Sequence, residues 1–399
     1  VSISRVGVVG AGTMGRGIAQ VAALGGYETV LYDVSAELAE AGAAALREAL
    51  DKGAERGRWS VDDAIAAAAR VETTVELDRL TGCGLVVEAA PEKLELKRRI
   101  FAGLAEALGP EPVFASNTSS LRVSEIAEGV PQPERVVGMH FFNPPALMKL
   151  VEVVAAERSS AAALAAATEV AERMGRTPIR AKDSPGFVAN RLARPFTLES
   201  LRILSDGVAD AARIDRIVRL GGGFRMGPFE LLDLIGLDVN LEIARSFFAQ
   251  GGEPERWRPS PIQEQLVAEG RLGRKSGRGY HDYAGGSGRE PDPDLEIEAP
   301  TLDPVRLAAV DPAAEEVLGR LFAQIANETA FALEEQIASP TDMDTAMKLG
   351  FNWPLGPNGF AELIGARRAV ELLDELRSEK GEAYAAAPRL RSEAEAEPR

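Results

Sequence analysis

Residues Ile3 to Val9 form an apolar run that leads straight into Gly10-Ala11-Gly12-Thr13-Met14-Gly15, and the following RGIAQVAALGG has helical spacing and ends on glycines. Few architectures accept a strand that turns on three glycines into a helix. Gly10 permits the tight turn, Gly12 lets the backbone approach a pyrophosphate, Gly15 allows close helix packing, and the helix N-terminus supplies positive potential. A second strand, Glu28 to Tyr32, ends at Asp33, 21 positions beyond Gly12, where a carboxylate can bond adenosine ribose hydroxyls. Asp33 would repel a ribose phosphate and no Arg follows in DVSAEL, so NAD(H) is expected over NADP(H). The glycine loop residues, with Thr13, Met14 and Asp33, are the expected cofactor contacts.

Strand-like segments recur at Val71 to Val75, Leu85 to Glu88 and Val113 to Ala115, with a helix at Glu92 to Leu108 between the last two. This alternation predicts an α/β Rossmann-type doubly wound parallel sheet. Ligands of such sheets sit beyond the carboxyl ends of the strands, where EAAPE and SNTSS fall. Residues Ser35 to Ala69 read as two helices with a polar break at Gly57 to Ser60. Most of their charge is a solvated face, yet Lys52, Arg56 and Arg58 lie close enough together to receive phosphates.

One of two histidines, His140, stands in GMHFFNPPALMKLVEVV, where VVGMHFF and MKLVEVV read as strands joined by the NPPAL turn. Their pairing can bring Glu152 beside His140. A carboxylate on one imidazole nitrogen fixes the tautomer, leaves the other nitrogen as a base, and stabilises the imidazolium. Alone, His140 would be read as a core histidine satisfied by a carbonyl; its company elsewhere in the chain favours catalysis.

A chain of 399 residues suggests two or three domains. The formal charge of −16 argues against nucleic acid and anionic membranes as partners, and requires that positive charge be gathered locally for any anionic ligand, at Arg56, Arg58, Lys97, Lys149 and Lys275. Cys83 is the only cysteine, so no intramolecular disulfide can form and a reducing cytoplasm fits. Its TGCGLVV context suggests a small residue entering a buried strand. No apolar run approaches a membrane span, and the opening ISRVGVVG lacks a basic region followed by an apolar core, so no signal peptide is expected.

The chain resembles the 3-hydroxyacyl-CoA dehydrogenase family, which includes the 3-hydroxybutyryl-CoA dehydrogenases. The resemblance rests on ordered motifs across residues 5 to 283: GAGTMG, VVEAAPEKLELK, FASNTSSL, GMHFFNPP with MKLVEVV, KDSPGFVANR, GPFELLDLIGLD and GRKSGRGYHDY. It implies NAD-dependent oxidation of L-3-hydroxyacyl-CoA to 3-oxoacyl-CoA, with a catalytic set of Ser119, His140, Glu152 and Asn190. It also implies nicotinamide-side contacts from Glu92, Lys97 and Asn143, Ser119 and Asn190 against the substrate, and a CoA contact at Arg56, near Lys52. Where some relatives have a serine toward CoA, this chain has Ala49. Without the motif match, Ser119 reads as a turn or helix cap and Asn190 as a polar residue early in a helix. Two alternatives share these motifs: a dehydrogenase of a free hydroxy acid or sugar acid, and a catalytically idle NAD-binding structural relative.

After KDSPG the strand signals stop. The expected organisation is a nucleotide-binding domain over 1–183 and two tandem all-α domains, 184–283 and 305–378, with a Gly-, Pro- and acid-rich linker at 284–304 and a flexible tail at 379–399. The helical domains are a duplication: Leu192 to Gly236 reappears, shifted by 129 residues, as Leu321 to Gly365, with Glu199 matching Glu328, Asp215 matching Asp344, and Asn190 falling on Gly319. In the resembled family two-domain members pair through their helical domains, so copy two is expected to replace a partner's domain, giving a monomer with an internal pseudo-dimer or a homodimer by exchange. His281, in GRGYHDY, reads as structural or solvent-facing, and no second His or acidic cluster offers metal spacing.

Overall fold

The computed structural model describes residues 3–286, 292 and 299–397. Its compact units are Val1–Phe187 and Val188–Arg399.

In the first unit, β1 (Arg5–Val9), α1 (Thr13–Leu24), β2 (Glu28–Tyr32), α2 (Ala36–Glu55), α3 (Val61–Ala69), β3 (Val71–Thr74), β4 (Leu85–Glu88), α4 (Leu94–Leu108), β5 (Val113–Ser116), α5 (Val123–Ile126), β6 (Val136–Phe141), β7 (Leu150–Ala155), α6 (Ala161–Arg173) and β8 (Thr177–Lys182) follow one another. The strands make one sheet ordered β3-β2-β1-β4-β5-β6-β7-β8. Neighbours are parallel through β6; β7 runs antiparallel to β6 and parallel to β8. Central strands such as LVVE of β4 are buried along their whole length, as a sheet covered on both faces requires. Ile18 of α1, Leu46 of α2, Ala64 of α3 and Val170 of α6 share a core with β1 and β4, whereas Phe101 of α4 meets Phe114 of β5 edge-on at 6.3 Å. Cys83 is buried just before β4, and burial pushes its thiol up to about 11.

Two features of this unit differ from expectation. The strand β8 was not foreseen, because TPIRAK combines a proline with two basic residues; it is an edge strand, where Pro178 leaves no inner ladder donor missing. The boundary falls after Phe187 instead of Asp183. Asp183 accepts hydrogen bonds from the amides of Val123 (2.9 Å) and Ser124 (2.8 Å), which ties the DSPG turn to the start of α5.

The second unit runs through α7 (Ala189–Leu192), α8 (Arg194–Ser205), α9 (Ala211–Leu220), α10 (Pro228–Ile235), α11 (Leu237–Gln250), α12 (Pro261–Ala268), α13 (Pro304–Val310), α14 (Ala314–Glu334), α15 (Pro340–Gly350), α16 (Pro357–Ile364), α17 (Ala366–Lys380) and α18 (Pro388–Ala396). The repeat is visible in the elements, since α10 and α16 coincide residue for residue under the shift of 129. Phe229 donates its amide to Asp215 at 2.8 Å, and its counterpart Asn358 donates to Asp344 at 3.0 Å. A Cβ on Gly227 would lie 2.4 Å from the Cβ of Asp215, and one on Gly356 would lie 2.4 Å from that of Asp344, so both copies need glycine before the helix.

The two tandem copies pack into one compact unit, with α14 lying along α8. The tail expected at 379–399 is also corrected. Tyr384 and Leu390 are buried, the Ala387 amide bonds Asn327 at 2.8 Å, and the Glu397 carboxylate caps α17 through the amides of Ala366 (2.7 Å) and Arg367 (3.1 Å). Of the linker expected at 284–304, residues 287–291 and 293–298 lie outside the described residues. Its end is built into the fold: Thr301 donates to Gly221 O at 3.0 Å and Asp303 caps α13. Among the described residues no helix is long and apolar enough to cross a membrane.

Candidate active site

The loop between β1 and α1 opens a cavity of about 670 Å³, lined among others by Gly10, Gly12, Thr13, Met14, Asp33, Leu38, Ala90 and Ile100. The three glycines have different reasons. Gly10 adopts φ +103°, and a Cβ there would press on Ala89 O; a Cβ on Gly15 would collide with Gly10 O at 1.7 Å. Around Gly12 nothing stands within 4 Å, so the protein itself does not require its missing side chain. Gly12 begins α1 without a side-chain cap, leaving amide donors turned toward open space, as a phosphate cradle needs. Asp33 accepts from the Ala11 and Val34 amides, each at 2.7 Å, which fixes its carboxylate on the cavity wall. These residues fit a dinucleotide.

Further along the same carboxyl edge lies β6, three strands from β1, on the order of 14 Å away at ordinary strand spacing. Antiparallel pairing of β6 with β7 sets His140 directly opposite Glu152, and Nδ1 of His140 lies 2.6 Å from Oε2 of Glu152. Both side chains are buried, and Phe142 and Phe187 pack against the imidazole with centroids at 4.6 and 5.8 Å. No described residue bonds Nε2. His140 does not line the cavity beside the glycine loop; it stands beyond it.

Between the two lies the turn after β5. Glu92 Oε1 accepts from Thr118 Oγ1 (2.7 Å), the Ser119 amide (2.9 Å) and the Ser120 amide (3.0 Å), and thereby shapes the turn that exposes Ser119. Burial works against the Glu92 charge, but Lys97 and these donors outweigh it and hold the carboxyl below its ordinary value. Lys97 is wholly buried, with Nζ 2.7 Å from Glu88 Oε1 and 3.4 Å from Glu92 Oε2, so that it ties the end of β4 to the carboxylate that shapes the serine turn. The sequence reading missed three polar residues here. Glu88 accepts from Lys97, Ser116 (2.6 Å) and the Ala90 amide (2.6 Å), Thr118 shapes the serine turn, and Asn117 Oδ1 receives the Phe141 amide at 2.9 Å, pinning the residue after His140. The acidic end of strand LVVE and the polar run SNTSS were the available signals.

Asn143 is exposed in the turn between β6 and β7. Lys52 and Arg56 are exposed at the end of α2, with Lys52 paired to Glu48 at 2.5 Å. Trp59 fixes this hairpin by donating to Leu50 O at 2.8 Å. Asn190 belongs to α7 in the helical unit and is partly exposed. Lys275 is held by Asp238 at 2.5 Å. His281 is not solvent-facing: its Nε2 lies 2.7 Å from Asp215 Oδ2, in the bond network that caps α10.

The 3-hydroxyacyl-CoA dehydrogenase NAD-binding domain model matches residues 5–184, and the C-terminal domain model of the same family matches residues 186–283 and again 317–397. The 3-hydroxyadipyl-CoA dehydrogenase of Escherichia coli K12 is 34% identical over 96% of this chain and 95% of its own. A probable 3-hydroxybutyryl-CoA dehydrogenase of Deinococcus radiodurans is 40% identical over 70% of this chain and all of its own. The crystal structure of a 3-hydroxybutyryl-CoA dehydrogenase from Escherichia coli K12 superposes with a TM-score of 0.89 at 34% identity, covering 99% of this chain and 98% of that one. With an NAD-binding domain followed by two copies of the helical domain, the chain belongs to the 3-hydroxyacyl-CoA dehydrogenase family.

Proposed function

We propose that the chain interconverts a 3-hydroxyacyl-CoA and a 3-oxoacyl-CoA with NAD, and that His140 and Glu152 are its acid-base pair. The observation carrying this reading is the 2.6 Å contact between His140 Nδ1 and Glu152, with no described residue bonding Nε2. Oxidising a secondary alcohol removes a hydroxyl proton as hydride leaves the same carbon. Bound NAD supplies the hydride acceptor. His140 Nε2 takes the proton, while Glu152 fixes the tautomer and stabilises the imidazolium; in reduction the imidazolium returns it.

Ser119 is proposed as a neutral donor to the C3 oxygen, presented by the turn that Glu92 organises. Asn190 is proposed, on the KDSPGFVANR motif, as a second such donor. Glu92 and Asn143 are proposed on the nicotinamide side, with Lys97 acting through Glu88 and Glu92 as a positioning residue. Arg56 and Lys52 are proposed for CoA phosphates. Gly10, Gly12, Thr13, Met14, Gly15 and Asp33 hold the adenosine half and pyrophosphate. In the helical unit, copy two takes the place of a partner subunit's domain, and the chain is a monomer with an internal pseudo-dimer; a cytoplasmic location goes with this reading.

The direct experiment is NADH oxidation with acetoacetyl-CoA and, separately, acetoacetate. Turnover of the thioester alone is expected. Turnover of neither would reject the enzyme reading, and preference for the free acid would reject the CoA substrate.

A further inference from the structure

Leu96, Arg99, Ile100 and Gly103 recur along α4 at the three- and four-residue spacing of one helix face, and all four line the cavity that opens at the glycine loop. Val34 and Leu38 line it too, and they stay 79% and 52% exposed. Val34 follows Asp33, the carboxylate placed at the ribose hydroxyls. Strand β1 lies between β2, which leads to Val34, and β4, which leads to α4, so the two walls come from either side of the glycine loop. A flat, largely apolar ring carried by that ribose fits between such walls.

Two residues on the α4 face have no explanation within the fold. Gly103 stands inside the helix, where glycine is less favourable than alanine. Its φ is not positive, and a Cβ there would meet nothing within 4 Å, so neither the backbone nor the packing asks for it. The same holds at Gly12, which borders the same cavity. Arg99 is exposed, and among the described residues it has no hydrogen-bond or ion-pair partner. Its neighbours on the helix are engaged, Lys97 with Glu88, and Arg98 with Glu95 and Glu128. An unpaired arginine at a surface is ordinary. One that lines an apolar cavity beside a bare glycine is placed for a ligand.

We propose that Arg99 recognises the base of the dinucleotide: its guanidinium plane lies over the adenine ring, and Gly103, one turn further along α4, is left bare so that the ring can come against the helix. A guanidinium is planar and weakly hydrated, and it stacks on aromatic faces with cation–π attraction. Bases accept such stacking without a hydrogen-bond code. The glycine loop and Asp33 address the pyrophosphate and the ribose, and neither reads the base. The inference rests on the NAD site described above and is independent of the acid-base pair.

The test is the dissociation constant of NADH, measured by fluorescence titration in the wild type, Arg99→Ala, Arg99→Lys, Arg99→Tyr and Gly103→Leu. Arg99→Ala should weaken binding by about 5-fold, the worth of one exposed cation–π contact. Arg99→Tyr, flat but uncharged, should keep most of the affinity, and Arg99→Lys, charged but not flat, should lose more of it. Gly103→Leu should bind NADH roughly 10-fold or more weakly, because its side chain fills the slot. Unchanged affinity in Arg99→Ala or in Gly103→Leu overturns the proposal. So does affinity kept by Arg99→Lys and lost in Arg99→Tyr, which would assign Arg99 to the phosphates through charge alone. Failure of the wild type to bind NADH would instead overturn the cofactor site itself, and this proposal with it.

Discussion

Arg191 donates from Nε to Glu328 at 2.8 Å, and 129 residues later in the duplication Arg320 donates from Nε to Glu199, again at 2.8 Å. The two contacts are the same pair written twice across an internal pseudo-twofold axis, the reciprocity expected of an isologous interface. Trp257 Nε1 and Arg256 Nε also bond Glu328, each at 3.0 Å, so the pair is fully satisfied where it is buried.

Arg191→Met should destabilise the helical unit by about 3 kcal/mol, because it strands part of a buried carboxylate's charge. Urea unfolding followed through tryptophan fluorescence reads this, Trp257 being a direct partner of Glu328. A loss below about 0.5 kcal/mol would put the pair among surface contacts.

Removing residues 300–399 takes away Glu328 and Arg320 together. The truncated chain should aggregate or associate through the exposed face of α8, as mass measurement in solution would register. A well-folded, fully active monomer after truncation would contradict the pseudo-dimer.

Gly12→Ala should fold normally, since its φ of −67° suits any residue and nothing lies within 4 Å of the added methyl. NADH binding should nonetheless weaken by roughly 10-fold or more, because the methyl occupies space kept for the pyrophosphate. Unchanged affinity in a fluorescence titration would remove the cofactor from this loop.

The His281 imidazolium is opposed by burial, but the Asp215 carboxylate at 2.7 Å more than compensates and raises its pKa above the ordinary histidine value. A raised folded pKa contributes stability that is complete below the unfolded pKa of about 6.5 and is lost as pH rises through the folded one. The stability advantage of the wild type over His281→Gln should therefore shrink from pH 6 toward pH 9 in urea titrations. An advantage that grew with pH would reverse the sign of the coupling.

Much of this was legible in the residues because local rules dominate there. The glycine loop, Asp33 and the register of His140 with Glu152 follow from turn chemistry and strand alternation over short spans. The pair Arg191 and Glu328 is separated by 137 positions and no local pattern links them, although the repeat that relates them was visible. The motif that singles out Lys97 carries no sign of its buried pairing with Glu88, nine positions back on β4. The end of the chain was hidden by composition: charge and alanine suggested fraying, while Leu390 and Ala394, four apart on α18, are buried.

The central claim is that His140 moves the proton and Glu152 holds it in place. Turnover of acetoacetyl-CoA and NADH affinity should be measured together for His140→Gln. The account predicts turnover lowered by roughly 100-fold or more with NADH affinity nearly unchanged. Turnover close to that of the wild type would contradict it.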